Sequence, residues 1–167
     1  SFADIYDYST VYTKGAWVYH MLRGIVGDET FFGAINYYFT RPELQFGTAT
    51  TEILQNTFEE YCEIDLDYFF EEWVYGYGAP KYYYTMLNDE STNQTKVFVY
   101  SESHISAEDT TAFTMPMEAV FDSETAQIFV QPGSNEFSFE FFTENFELDP
   151  DNWVLKLANE KLSPEIM

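Results

Sequence analysis

Between Val74 and Pro80 the chain reads Val-Tyr-Gly-Tyr-Gly-Ala-Pro, and the period of its apolar residues changes across that stretch. Upstream they recur every three or four residues, as on a helix that buries one side. Downstream they alternate, as on a strand with one face buried. The two glycines and the proline break the helical register and lead into extended backbone. A chain patterned in this way folds as two parts. The reading is α+β, with a helical lobe over residues 1–80 followed by a β lobe over 81–167.

Four helices are expected in the first lobe. Val18, Met21, Leu22 and Ile25 fall at i, i+3, i+4 and i+7, with Trp17 and Val26 widening the stripe. Gly27 follows as a C′ glycine, and Asp28 is expected to cap a second helix presenting Phe31, Phe32, Ile35 and Tyr38/Phe39. Thr40–Gly47 reads as a loop around Pro42. A third helix spans about Thr50–Cys62, with Ile53, Leu54, Phe58, Tyr61 and Cys62 on one side. Cys62 is the chain's single cysteine, so no intrachain disulfide forms, and its place in that stripe predicts a buried thiol. A fourth helix, capped by Asp65, carries Leu66, Phe69, Phe70, Trp73 and Val74.

Seven short runs rich in aromatic and β-branched residues follow: Tyr82–Leu87, Lys96–Ser103, Phe113–Phe121, Ala126–Gln131, Glu136–Phe142, Asn145–Leu148 and Trp153–Leu157. Turn chemistry separates them at Asn88-Asp-Glu-Ser, Asp122-Ser-Glu-Thr, Pro132-Gly-Ser-Asn and Asp149-Pro-Asp-Asn. Seven antiparallel strands so spaced predict a β-sandwich.

Charge limits the partners. Seven Lys and Arg stand against 29 Asp and Glu, a formal net charge of −22, shared as −10 over residues 1–80 and −12 over 81–167. Such a polyanion repels nucleic acid and anionic lipid, and no apolar run approaches the roughly 18 residues of a membrane span. Cationic peptides are the partners such a field attracts, although self-repulsion that keeps a surface solvated is the plainer use of it.

Several ordered blocks carry a resemblance. Tyr12-Thr-Lys-Gly-Ala16, His20-Met-Leu-Arg23, Gly27-Asp-Glu29, Asp65-Leu-Asp-Tyr-Phe-Phe-Glu-Glu-Trp73 and Gly78-Ala-Pro80 resemble the zinc aminopeptidases of the aminopeptidase N and leukotriene-hydrolase type. The likeness extends to the closing Leu148-Asp-Pro-Asp-Asn-Trp153-Val-Leu155, which is similar to the end of the β-sandwich in secreted bacterial members. It implies a peptidase that removes N-terminal residues from peptides, a β-sandwich after the catalytic lobe, and a secreted or periplasmic setting. It also implies that Tyr12 donates a hydrogen bond to the oxyanion formed at the scissile carbonyl. A phenol with a pKa near 10 suits that task, because it stays protonated at neutral pH.

The same family binds zinc through HExxH and a later glutamate. The only histidines, His20 and His104, are 84 residues apart, and neither begins that motif. The chain also opens on Ser1 without the basic and apolar regions of a signal peptide. The expectation is therefore a piece of a longer zinc enzyme. It would bind no metal itself, depend on an upstream metal-binding part, and be inactive alone, with an exposed apolar surface on its helical lobe.

Other residues invite a chemical reading. Lys14 reads as a helix-surface or ion-pair residue. The adjacent Glu71 and Glu72 point about 100° apart on a helix and read as a solvated face. Asp149, Asp151 and Asn152 offer oxygens for calcium but read as a turn. Asn93-Gln-Thr95 fits a glycosylation acceptor. Two further readings compete with the peptidase: a scaffold that has lost its metal, and a carbohydrate-binding or adhesive β-module with Tyr82, Tyr83 and Tyr84 as a stacking surface, although at most Tyr82 and Tyr84 share a face and core and edge packing is the plainer use of them.

Overall fold

A computed structural model of the chain describes residues 9–104 and 112–163. It divides into two compact units, Ser1–Tyr75 and Gly76–Met167.

The first unit is helical. A π-helical turn over Ser9–Lys14 runs without a break into α1, Gly15–Val26; Lys14 joins them with helical backbone angles of −64° and −40°. α2 spans Asp28–Thr40 and α3 spans Thr51–Cys62. α4 is a single turn, Asp67–Phe69, that continues as a π-helical segment, Phe70–Tyr75. Among the described residues Met21, Leu22, Ala34, Phe58, Leu66 and Phe69 are fully buried, with Phe70 and Trp73 at 1% exposure. Full burial of a side chain of this size contributes about 1.5–3 kcal/mol.

Local chemistry fixes the helix ends. Gly27 has φ of +78°, a conformation natural to glycine, and its N–H bonds the Arg23 carbonyl at 2.9 Å. It also occupies the N-cap position of α2, so Asp28 does not cap the helix as expected. Asp28 is instead the first helical residue, where a carboxylate complements the helix dipole. Thr50 caps α3 by accepting from the Ile53 N–H at 3.2 Å. Asp65 precedes α4 and accepts from the Asp67 N–H at 2.8 Å.

Four expected core residues, Phe32, Phe39, Tyr61 and Cys62, lie outside or at the margin. Phe32 and Phe39 are exposed, and Cys62 is only half-buried, because α3 is covered on the Thr57–Phe58 side and leaves Tyr61 and Cys62 at its margin. Burial still raises the Cys62 thiol above its ordinary pKa.

The second unit holds seven strands among its described residues, in two sheets. β1 (Ala79–Asp89), β2 (Gln94–His104), β5 (Gly133–Phe139) and β7 (Ala158–Lys161) form one sheet in the order β5-β2-β1-β7. β3 (Met115–Phe121), β4 (Thr125–Val130) and β6 (Phe146–Leu148) form the other in the order β4-β3-β6. Met115, Met117, Ala119 and Phe121 alternate inward along β3. Phe121 meets Phe139 at 4.8 Å and Phe146 meets Tyr84 at 5.4 Å, so aromatic rings join the two sheets.

The strands are not all antiparallel, because β7 runs parallel to β1 with Lys81 opposite Ala158. Nor is Trp153–Leu157 a strand. Asp149 accepts from the Trp153 and Val154 N–H groups at 2.8 and 3.1 Å, which removes those donors from any ladder and delays the strand to Ala158.

Candidate functional site

The candidate site begins at Tyr12. A π-helical turn has one more residue per hydrogen-bonded loop than an α-turn, so it rotates the side chains before Gly15 relative to those after it. Tyr12 is 62% exposed there. On the following turns Thr13, Ala16, Trp17 and His20 line a shallow, mainly apolar hollow of about 340 Å³. The Trp17 and His20 rings meet edge to face at 5.4 Å. Lys14 is half-buried, and burial lowers its pKa.

α1 is held in place from its other side. Met21 and Leu22 have no exposure, and Arg23 reaches across the Gly27 break to bond both Asp28 carboxylate oxygens at 2.8 and 2.7 Å. That bidentate pair lowers the Asp28 pKa and raises that of Arg23, while the guanidinium lies 5.3 Å from the centre of the Phe32 ring. The clamp fixes the α1–α2 corner, and so the direction in which α1 presents its exposed face. A bond between residues five apart across a glycine follows neither the i+3 nor the i+4 rule, so the helical pattern did not reveal it.

A second cation organises the corner after α2. Arg41 bonds Glu43 at 2.7 Å, Thr57 at 3.1 Å and Glu60 at 3.2 Å, and lies 5.6 Å from the Tyr37 ring centre. Tyr37 donates to the other Glu60 oxygen at 2.8 Å, and this bond raises the Tyr37 pKa. In α4, burial, with Glu72 and Asp65 nearby, pushes the Tyr68 phenol up to about 12.

The described residues bring together no imidazole-containing donor set of the kind a catalytic zinc takes. Among the described residues, three donors come within 4.8 Å of one another at Glu59, Asp65 and Asp67 alone. That group is all carboxylate and is occupied with local structure. Glu59 accepts from the Leu66 N–H at 3.0 Å, and Gln55 donates to Glu59 at 3.1 Å and to Asp67 at 2.7 Å. It contains no imidazole. His20 joins no such group, and the His104 side chain lies outside the described residues.

The remaining candidates are structural. Asp149 is fully buried and bonds the Lys156 ammonium at 2.5 Å, while Asn152 accepts from the same ammonium at 3.1 Å. A lysine thus engages two of the three residues read as calcium donors, Asp149 and Asn152. Glu71 is exposed and Glu72 half-buried. Tyr82 and Tyr84 face the interior at 0% and 7% exposure, which removes the proposed stacking surface; Tyr83 points the other way and pairs with Tyr100 at 6.4 Å. Asn93 is exposed at the β1–β2 turn with φ of +54°. No helix among the described residues is long and apolar enough to cross a membrane.

Residues 1–73 match the sequence model of the Peptidase family M1 domain. Aminopeptidase N of Lactococcus lactis subsp. lactis is 29% identical over 98 residues, 59% of this chain and 11% of that protein. The crystal structure of Legionella pneumophila aminopeptidase A in complex with aspartic acid superposes with a TM-score of 0.76 at 18% identity. The match covers 98% of this chain and 19% of that one, and shows a shared fold. The chain therefore spans a small part of the proteins it matches. With the Tyr12-Thr-Lys-Gly block inside the matched residues, these comparisons support an aminopeptidase N-type fragment, with the family M1 likeness resting on residues 1–73.

Proposed function

We propose that the chain is the part of a zinc-dependent aminopeptidase that supplies the oxyanion-stabilising tyrosine and one wall of the substrate cleft. The observation that carries this reading is the placement of Tyr12. It is exposed on a π-helical turn, beside a hollow and ahead of a helix clamped by Arg23 and Asp28.

The chemistry is electrostatic. As water adds to a peptide carbonyl, negative charge collects on the oxygen, and a neutral phenol donates to it more strongly in the transition state than in the ground state. One such donor is worth roughly 3–4 kcal/mol, about 10²–10³ in rate. The rigid α1–α2 corner would keep the phenol aimed, so that little reorganisation accompanies the reaction.

The metal, the attacking water and the general base would come from other polypeptide, a reading supported by the lack of an imidazole-containing donor set among the described residues. The exposed Thr13, Ala16 and neighbouring Trp17 and His20 suit coverage by that polypeptide. The two-sheet unit then serves as a brace, and peptides are the substrate class.

Two measurements test the reading together. The isolated 167-residue chain should show no zinc-dependent release of N-terminal residues. In an enzyme that contains the chain, Tyr12→Phe should lower kcat by about 10²–10³. Turnover by the isolated chain, or full activity of the variant, would overturn it.

A further inference from the structure

Nothing in the fold of the helical unit requires a glycine at residue 15. Gly15 stands inside a continuous helical run, since the π-helical turn of Ser9–Lys14 passes directly into α1. Next to proline, glycine is the least favourable residue for a helix interior. A positive φ accounts for Gly27, and the Tyr61 ring leaves no room for a side chain at Gly33. Gly15 is under neither constraint. Its φ is not positive, and a Cβ at this residue would meet nothing within 4 Å among the described residues. An alanine would fit the fold and favour the helix.

What the missing side chain leaves bare is the surface beside Tyr12. Side chains on a helix lean toward its N-terminus and lie over the preceding turn. The turn that precedes Gly15 carries Tyr12, which is 62% exposed. Any side chain at residue 15 would therefore lean toward the phenol. Gly15 also stands outside the hollow lined by Thr13, Ala16, Trp17 and His20, the surface suited to coverage by other polypeptide. The bare flank is thus a separate feature of the helix, and the group it borders is the hydrogen-bond donor. Glycine is favoured where a backbone must be approached closely by a ligand.

We propose that Gly15 is a positioning residue, whose bare backbone keeps clear the path by which a peptide main chain brings its carbonyl to the Tyr12 hydroxyl. Gly15 has this role only if Tyr12 is the oxyanion donor, the reading on which the proposal rests.

Stability and kinetics test it together. In the isolated 167-residue chain, Gly15→Ala should raise the melting temperature, because helix propensity improves and nothing is displaced. In an enzyme that contains the chain, Gly15→Leu should lower kcat/KM by about tenfold or more, and Gly15→Ala by less, without lowering the melting temperature of that enzyme. In a Tyr12→Phe background Gly15→Leu should cost no more than about threefold, since the hydroxyl whose approach it blocks is gone. Wild-type kcat/KM for Gly15→Leu would overturn the proposal. So would an equal loss in both backgrounds, because the crowding would then act elsewhere than at the hydroxyl. A lower melting temperature of the Gly15→Leu enzyme would also overturn it, by assigning the bare flank to packing against other polypeptide. Full activity of Tyr12→Phe would overturn the reading of Tyr12 itself and the role of Gly15 with it, whereas an impaired Tyr12→Phe beside a fully active Gly15→Leu would remove the role of Gly15 alone.

Discussion

Gly33 sits on α2 against the Tyr61 ring of α3, and replacing it tests whether that packing sets the geometry of the helical unit. A Cβ at residue 33 would lie 2.3 Å from the Tyr61 Oη, 2.8 Å from Cζ and 2.9 Å from Cε1. Taken alone, Gly→Ala inside a helix stabilises by about 1 kcal/mol. Here the ring must move, and it packs at 5.7 Å against Tyr37, whose hydroxyl is engaged by Glu60. Overpacking of this kind costs about 1–3 kcal/mol. Tyr61 is partly exposed and can swing outward, which places the cost in the middle of that range. Gly33→Ala should therefore destabilise the unit by about 1 kcal/mol, the difference between the two effects. In a Tyr61→Ala background the obstacle is gone, and the same substitution should stabilise by about 1 kcal/mol. Urea denaturation followed by helical circular dichroism reads both values, and the sign inversion is a coupling of about 2 kcal/mol. Equal stabilisation in both backgrounds would refute the packing argument.

Lys156→Met leaves the buried Asp149 carboxylate without its cation and should cost about 3–5 kcal/mol, with Asp149→Asn restoring part of it; thermal melts of the single and double variants measure this. Because Lys156 already engages Asp149 and Asn152, millimolar calcium should leave the melting temperature unchanged, and a rise would contradict the reading of this segment as a lysine-held turn. Asp122 accepts from Asn145 Nδ2 at 2.7 Å, from the Asn145 and Glu144 N–H groups at 3.0 and 2.8 Å, and from the Thr143 hydroxyl at 3.0 Å. These bonds hold its carboxyl down to about 2. A depressed folded-state pKa gives stability that is complete above the unfolded value near 3.9 and is lost as pH falls through about 2. Asp122→Asn should flatten that part of the acid-unfolding profile, and an unchanged profile would contradict it. Thr50→Ala removes the α3 cap and should cost about 1 kcal/mol in the same urea assay.

The helical repeat was legible where burial follows one stripe. Met21 and Leu22, and then Leu66, Phe69, Phe70 and Trp73, are all buried as their spacing requires. The π-helical geometry of Phe70–Tyr75 was not legible, because packing and not the i+3/i+4 spacing of apolar residues decides where the wider i+5 bonding pattern replaces the α-helical one. Aromaticity misled at Phe32 and Phe39: in a chain with 17 phenylalanines and 14 tyrosines, an aromatic residue no longer marks the interior. Alternation showed that Tyr82 and Tyr84 share a face but not which side of the sheet was wet. Trp153–Leu157 has strand composition, yet one buried side chain, Asp149, accepts from two of its backbone donors, a side-chain effect from four and five residues away that strand propensity does not contain. For the candidate site, Tyr12 came from the ordered blocks and not from periodicity. The left-handed φ of Phe46 went unseen, since a loop's φ is set by contacts such as those of Arg41 and not by local composition.

The central claim is that Tyr12 acts on the oxyanion, and steady-state kinetics of Tyr12→Phe in an enzyme that contains this chain tests it most directly. Removing only the hydroxyl should lower kcat and kcat/KM together by about 10²–10³ while KM changes little, as expected for a bond made in the transition state. An unchanged kcat, or a loss confined to KM, would contradict the account.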